Sequence, residues 1–91
     1  MTFDEQLELL SQSDLMDSDW YLQEYPDVAA AGMVPAAHYL KYGALMGRDP
    51  GPGFSTFFYQ TQNPDVGSDL WNPLIHFLTY GHQEGRLPSS A

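Results

Sequence analysis

Apolar residues recur at helical spacing along the chain, and no segment alternates between apolar and polar residues as a strand would. After Pro35 the apolar positions are 36, 37, 39 and 40, and after Pro73 they are 74, 75, 77 and 78. Side chains spaced in this way lie on one face of a helix, and an apolar face is directed toward a core. The pattern therefore predicts an all-α fold.

The two stripes belong to an internal repeat with an offset of 38 residues. Residues 19–50 align with residues 57–88 without a gap, and 12 of the 32 pairs are identical. These pairs are Tyr21/Tyr59, Pro26/Pro64, Asp27/Asp65, Val28/Val66, Pro35/Pro73, His38/His76, Leu40/Leu78, Tyr42/Tyr80, Gly43/Gly81, Gly47/Gly85, Arg48/Arg86 and Pro50/Pro88. A repeat of this length usually encodes one multi-helix unit that stacks on its neighbour. We expect two such units packed together in one domain that spans residues 1–91.

Caps and prolines divide the first unit into short helices. Asp17 or Ser18 can cap a helix that ends before a proline, and that proline then opens a second helix, Pro26–Ala31. Gly32 suits a left-handed stop, and Pro35 opens the third helix.

The second unit repeats this arrangement with two asparagines at its helix starts. Asn63 and Asn72 each precede a proline and are predicted to be N-caps. Gly43 and Gly81 are expected to close the third helix of their units.

A further helix is predicted ahead of the first repeat. Thr2 and Glu5 form a capping box for a helix that carries Phe3, Leu7 and Leu10, and we expect this helix to cover the open face of the first repeat. The predicted segments are a capping helix and lead-in at 1–18, repeat 1 at 19–50, a Pro/Gly linker at 51–56, repeat 2 at 57–88 and a tail at 89–91.

Composition and charge exclude several classes of protein. The 91 residues are 43% hydrophobic, which is too apolar for a disordered chain, and they include no cysteine. The chain has three Lys and Arg residues in total and 12 Asp and Glu residues, which gives a net charge of −9. Nucleic acid and anionic membranes are therefore poor partners, because both require clustered positive charge.

No targeting segment or membrane span is predicted. The first residues lack a basic stretch followed by an apolar run, and the weakly apolar stretch at 29–37 is interrupted by Gly32 and Pro35. The expected location is by default the cytoplasm, and it is left open for a chain that is part of a larger protein.

The repeat has a recognisable signature. The pattern Tyr-x-x-x-x-Pro-Asp-Val, then Pro-x-x-His-Tyr/Phe-Leu-x-Tyr-Gly, then Gly-Arg-x-Pro covers residues 20–50 and again 58–88. It resembles the tandem repeats of the type YLxxNPDVxxAGxxPxxHYLxxGxxEGRxP, which occur beside bacterial surface-polysaccharide glycosyltransferases and in some large bacterial secreted proteins. The chain departs from that type at Tyr25, Met46 and Leu70, which replace the usual Asn, Glu and Gly. The resemblance implies a small helical accessory module without catalytic activity.

The polar and aromatic residues of the signature are interpreted as structural. They are Asp27, His38, Tyr42, Arg48, Asp65, His76, Tyr80 and Arg86. Each histidine is placed on the polar side of its helix, one turn before a tyrosine, and is interpreted as a buried residue satisfied by a local hydrogen bond. The alternatives are metal binding or catalysis and pH sensing. Zinc needs three or four converging ligands, whereas each repeat supplies one His and one Asp, so no metal or other cofactor is predicted.

The repeated Asp and Arg suggest an ion pair within each unit. Asp27 and Arg48 have the same separation of 21 residues as Asp65 and Arg86. We expect each pair to be partly buried, because surface pairs have little reason to recur at fixed positions. The alternative is that the arginines contact an anion or a sugar.

The first third of the chain is strongly acidic. Eight of the 12 acids lie within residues 1–27, and no Lys or Arg precedes Lys41. This N-terminal part of the chain is predicted to contact a basic protein partner. The candidate residues of this acidic face are Asp4, Glu5, Glu8, Asp14, Asp17 and Asp19. They do not match a calcium loop, because the required glycine and the closing Glu are missing.

One aromatic residue is a candidate for stacking on a sugar. Trp71 has Met33 as its repeat counterpart, which favours a surface position. Nucleophile, phosphate-loop and dinucleotide motifs are absent from the sequence. We therefore expect a non-catalytic protein-interaction or scaffold module of a bacterial protein. The alternative is a carbohydrate-binding accessory module for surface-glycan synthesis.

Overall fold

A computed structural model describes residues 1–90, and these residues form helices and turns without a β-strand. The all-α fold predicted from the apolar pattern is confirmed. The α-helices are α1 (Phe3–Ser11), α2 (Ser18–Glu24), α3 (Pro26–Ala30), α4 (Pro35–His38), α5 (Thr56–Gln62), α6 (Pro64–Ser68) and α7 (Pro73–His76). A π turn continues α4 over Tyr39–Gly43, and a second π turn continues α7 over Phe77–Gly81. Within residues 1–90, no helix has the length and apolar character needed to cross a bilayer.

Every element of the first unit has a counterpart 38 residues later. Helices α2, α3 and α4 correspond in position and length to α5, α6 and α7, and the two π turns correspond in the same way. The two halves of the chain therefore have the same local structure.

Local hydrogen bonds account for most helix starts. The capping box of Thr2 and Glu5 forms as predicted, and the Asp17 carboxylate accepts from the Trp20 amide at 3.0 Å. Ser55 occupies the corresponding place before α5, and Asn72 accepts from two amides of α7.

Asn63 occupies the N-cap position of α6 as predicted, but its side chain makes no capping hydrogen bond. Its side-chain carbonyl accepts from the Arg86 guanidinium at 3.1 Å, and its amide group donates to the Tyr59 carbonyl at 2.8 Å. A charged donor forms a stronger hydrogen bond than a backbone amide does. The Asn63 oxygen therefore binds Arg86 and does not accept from the backbone amides at the start of α6.

The glycines that end each third helix are not the left-handed stops that the sequence pattern predicts. Gly43 and Gly81 are not left-handed, because the helical backbone passes through them in a π turn. The left-handed residues are Gly47 and Gly85, with φ of 78° and 77°. Gly32 is left-handed as predicted, with φ of 70°.

Helix α1 packs between the two units. It contacts α4, as expected for a cover on the first repeat, and it also contacts α7 of the second repeat. Leu10 of α1 is completely buried. The helix therefore contributes to the core of both repeats. The buried apolar residues of the core are Leu10, Met16, Tyr21, Val28, Ala36, Tyr39, Ala44, Phe54, Tyr59, Val66, Leu74, Ile75 and Phe77.

Each repeat is closed by a hydrogen bond between its two ends. The Asp17 amide donates to the Pro50 carbonyl at 3.0 Å, and the Ser55 amide donates to the Pro88 carbonyl at 2.9 Å. The chain therefore enters and leaves a repeat at nearly the same point.

Candidate functional site

Both repeat histidines are buried against a tyrosine of the first helix of their repeat, α2 or α5. The Tyr21 hydroxyl lies 2.8 Å from His38 Nδ1, and the Tyr59 hydroxyl lies 2.8 Å from His76 Nδ1. Only 7% of each histidine is exposed. The tyrosine hydroxyl lets the imidazole enter the core with a hydrogen bond, which fits the expected structural role, although the ring does not lie on a polar face of its helix.

The glycines of the π turns make room for these tyrosine hydroxyls. A Cβ atom at Gly43 would overlap the Tyr21 hydroxyl, and one at Gly81 would overlap the Tyr59 hydroxyl. The wider π turn and the missing side chain together let a tyrosine reach its histidine.

This environment favours neutral histidines. Burial lowers the pKa of His38 and of His76, and the nearby guanidinium of Arg48 or Arg86 lowers it further. Burial also raises the pKa of Tyr21 to about 12. Residues 1–90 bring no group of three or more His, Asp or Glu side chains together in a way that could hold a metal ion. The Tyr–His pairs are therefore parts of the core.

Two further tyrosines of the signature, Tyr42 and Tyr80, pack against the buried histidines. The Tyr42 ring packs 5.7 Å from the His38 ring, and the Tyr80 ring packs 5.8 Å from the His76 ring. Both tyrosines are exposed on their other side. Each covers its histidine from solvent.

The expected ion pair forms in the first repeat. Both terminal nitrogens of Arg48 lie 3.1 Å from oxygens of Asp27, and the guanidinium lies 4.6 Å from the centroid of the Tyr25 ring. The Arg48 side chain is 17% exposed, whereas that of Asp27 is 59% exposed. The pair was expected to be partly buried, and this holds only for the guanidinium.

The second repeat has the corresponding pair with additional partners. Arg86 lies 3.3 Å from Asp65 and 2.9 Å from Glu84, and it also donates to Asn63. Hydrogen bonding to the arginine lowers the pKa of Asp65, as it does for Asp27. Because these arginines are bound within their repeats, a role in anion binding has no support in their contacts.

The candidate acidic face loses two of its six members to helix capping. Glu5 closes the capping box, and hydrogen bonding to the Thr2 backbone lowers its pKa. Asp17 is half-buried and caps α2. The other four members, Asp4, Glu8, Asp14 and Asp19, are exposed.

A groove of about 560 Å³ lies between the two repeats. One wall comes from the first π turn and the residues after it, including Leu40, Lys41 and Leu45. The opposite wall comes from the segment between α6 and α7, including Leu70 and Trp71. The sequence pattern does not predict this groove, because its walls come from different repeats.

The start of α1 closes one part of the groove. Phe3 and Gln6 lie in its lining, and the Lys41 ammonium lies 5.3 Å from the centroid of the Phe3 ring. Within residues 1–90, Lys41 is the only Lys or Arg that forms no salt bridge. The groove therefore combines apolar side chains with one available cation.

Two leucines stand almost fully exposed on opposite sides of the groove. Leu45 is 89% exposed and Leu70 is 92% exposed. Leu70 is also left-handed, with φ of 59°, and is the only residue other than glycine with a positive φ in the described chain. Of the residues lining the groove, the sequence singled out Trp71 as a binding candidate, whereas Leu70 stood out only because it replaces the usual glycine.

Trp71 lies in the groove wall, but much of it is buried against the core. Its ring meets His76 at 5.6 Å and Tyr80 at 5.4 Å, both in edge-to-face geometry. The predicted surface position is therefore only half realised, because neighbouring rings support the indole.

Comparison with known proteins gives no family for this chain. It matches no family model, no curated protein and no solved structure. Its function is therefore argued from its own residues.

Proposed function

We propose that the chain is a non-catalytic interaction module whose inter-repeat groove binds a segment of a partner protein. The conformation of Leu70 is the observation that carries this proposal. A leucine with positive φ costs about 1–2 kcal/mol relative to a right-handed conformation, and glycine avoids that cost. An exposed leucine returns none of this energy through packing in the free protein. Burial under a partner would return it.

The surroundings of the groove favour a partner segment in which bulky apolar residues are flanked by Lys or Arg. Asp69 lines the groove beside Leu70, together with one cation, Lys41, and Asp4 follows Phe3 in the chain. The chain as a whole carries a net charge of −9. Apolar contact would supply most of the affinity, and the acids would increase the association rate and the selectivity for basic segments.

The test is a pull-down from the native cell extract with three forms of the 91-residue chain, followed by mass spectrometry. Leu70→Gly removes the exposed side chain and relieves the backbone strain, so it is expected to preserve or raise the melting temperature and to lose the partner. Phe57→Gln changes a residue that is 74% exposed outside the groove and serves as the matched control. A partner that the Leu70→Gly variant retains as well as the unaltered chain does would contradict the proposal.

Salt dependence provides a second measurement on the same partner. Binding should weaken as ionic strength rises, because exposed charges at the groove are screened over about 10 Å at 0.1 M salt. Affinity that stays constant between low and high salt would exclude the basic partner.

Carbohydrate binding is the second candidate, and the polar lining around Trp71 favours it. The side chains of Gln6, Gln60, Asp69 and Asn72 line the same groove and can donate or accept hydrogen bonds. In that case the module would serve surface-glycan synthesis, in line with the resemblance of its repeats. Titration of a Trp20→Phe variant with bacterial surface polysaccharides tests this, because Trp71 is then the only tryptophan that can report binding. A saturable fluorescence change that Leu70→Gly leaves intact would favour the sugar over the protein.

A further inference from the structure

The two repeats differ at one position in a way that leaves a depression in the second. In the first repeat, the ring of Tyr25 lies against the Arg48 guanidinium at 4.6 Å and against the Trp20 ring at 6.1 Å. Its hydroxyl accepts from the Asp49 amide at 3.0 Å. Tyr25 is thus held by a cation, an aromatic wall and one backbone donor.

The second repeat keeps the counterparts of these three groups but lacks the tyrosine. Asn63 stands in place of Tyr25, while Phe58, Arg86 and Leu87 correspond to Trp20, Arg48 and Asp49. A depression of about 170 Å³ is present at this place, and its lining includes Phe58, Asn63, Arg86 and Leu87.

The groups that would hold a ring are available in this depression. The Leu87 amide has no hydrogen-bond partner within residues 1–90, whereas the matching amide of Asp49 donates to a phenol. The Leu87 side chain is 63% exposed. Arg86 is fixed by Asp65, Glu84 and Asn63, so its guanidinium is already positioned beside the space.

We propose that this depression receives the side chain of a tyrosine presented by a partner protein. The phenol ring would pack between the Arg86 guanidinium and Phe58, and its hydroxyl would accept from the Leu87 amide, as Tyr25 does in the first repeat. A phenol fits the available groups better than an aliphatic side chain, because only the phenol uses both the cation and the backbone donor. The depression shares no residue with the inter-repeat groove, so it is a second and independent contact.

The test uses the full chain labelled with ¹⁵N and a capped tyrosine, N-acetyltyrosinamide, as the probe. Saturable shifts are expected at the Leu87 amide and at Arg86 Nε, with a dissociation constant of about millimolar, as suits so small a ligand. N-acetylphenylalaninamide lacks the hydroxyl and should bind about three to ten times more weakly.

Exchanging the two residues between the repeats provides the matched controls. Asn63→Tyr should fill the depression and reduce probe binding by about tenfold or more. Tyr25→Asn should create a second site, seen as new saturable shifts at the Asp49 amide. If Asn63→Tyr does not fold, the site gained in Tyr25→Asn decides the question. Shifts that do not saturate, that persist in Asn63→Tyr, or that fail to appear at Asp49 in a folded Tyr25→Asn variant would overturn the proposal.

Discussion

The hydroxyl groups of Tyr39 and Thr56 lie 2.9 Å apart and join the two repeats through a buried hydrogen bond. Thr56 also donates from its hydroxyl to the Arg48 carbonyl at 2.7 Å, and its amide donates to Asp49 at 2.9 Å. Thr56, the first residue of α5, therefore makes three hydrogen bonds to residues of the first repeat.

Replacing Thr56 with valine should destabilise the protein by about 1–3 kcal/mol, because it leaves the Tyr39 hydroxyl and the Arg48 carbonyl without their partner. Tyr39→Phe introduces the residue found at the equivalent position 77 and should cost about 0.5–1.5 kcal/mol. Chemical denaturation measures both changes. The double variant should cost less than the sum of the two single variants, and strict additivity would show that the two hydroxyls do not act together.

Alanine should have opposite effects at different glycines. Gly43→Ala and Gly81→Ala should each lower the melting temperature clearly, because the new methyl group overlaps a buried tyrosine hydroxyl. Gly67→Ala lies in α6 with open space around it and should stabilise the protein by about 0.5–1 kcal/mol. Tyr21→Phe combined with Gly43→Ala removes the overlapping oxygen and should recover part of the loss. Equal effects of alanine at positions 43 and 67 would contradict this account of the π turns.

The stability of the folded protein should fall in two stages as the pH is lowered. His38 and His76 have a folded-state pKa below the ordinary value of 6.5, so the unfolded chain binds protons before the folded chain does. The stability from the neutral histidines is therefore complete above pH 6.5 and falls as the pH drops below that value toward their folded-state pKa.

The second stage comes from Asp27 and Asp65, whose pKa is held below 3.8 by the arginines. Their contribution is present above pH 3.8 and is lost as the pH falls through their folded-state pKa. Melting temperatures measured from pH 8 to pH 3 should show both stages. The variant with His38→Gln and His76→Gln should lose the first stage, and an unchanged first stage would mean that other groups titrate there.

The repeat arginines should matter more for stability than their aspartates. Arg48→Ala should lower the melting temperature more than Asp27→Ala does, because the covered guanidinium also packs on Tyr25, whereas the carboxylate is mostly exposed. Arg86→Ala should likewise lower it, because three partners lose their donor. The double change of Asp27 and Arg48 should cost less than the sum of the single changes. An arginine variant of normal stability that fails to bind a partner would instead make the arginine part of a binding site.

The first repeat should not fold alone. A fragment of residues 1–50 would lose Thr56 and α7, leaving the Tyr39 hydroxyl unpaired and the α7-facing side of α1 uncovered. It should be unfolded or self-associated in sedimentation and circular dichroism experiments, because a unit of this size buries too little apolar surface. A monomeric fragment with a cooperative melt would disprove this.

The sequence was most informative where a structural feature depends on neighbouring residues. The capping box at Thr2, the proline starts of the short helices and the left-handed Gly32 could all be predicted, because each follows from a few adjacent residues. The hydrogen-bond partners of Asn63 and of the histidines could not be predicted, since they are Arg86 and tyrosines in another helix. The inter-repeat groove could not be predicted for the same reason.

The hydrogen bond between the two ends of each repeat affects where a further repeat could be inserted into the chain. Each unit begins and ends at nearly the same point. A duplicated copy inserted after Pro50 would therefore leave the path of the neighbouring units unchanged. A copy of the first unit would present Ser18 where Thr56 now stands, and so would offer a hydroxyl to Tyr39. A copy added after the second unit would meet Phe77 and Leu87 instead, which have no polar side chain. The array is therefore suited to lengthening between its two present repeats and not beyond the second.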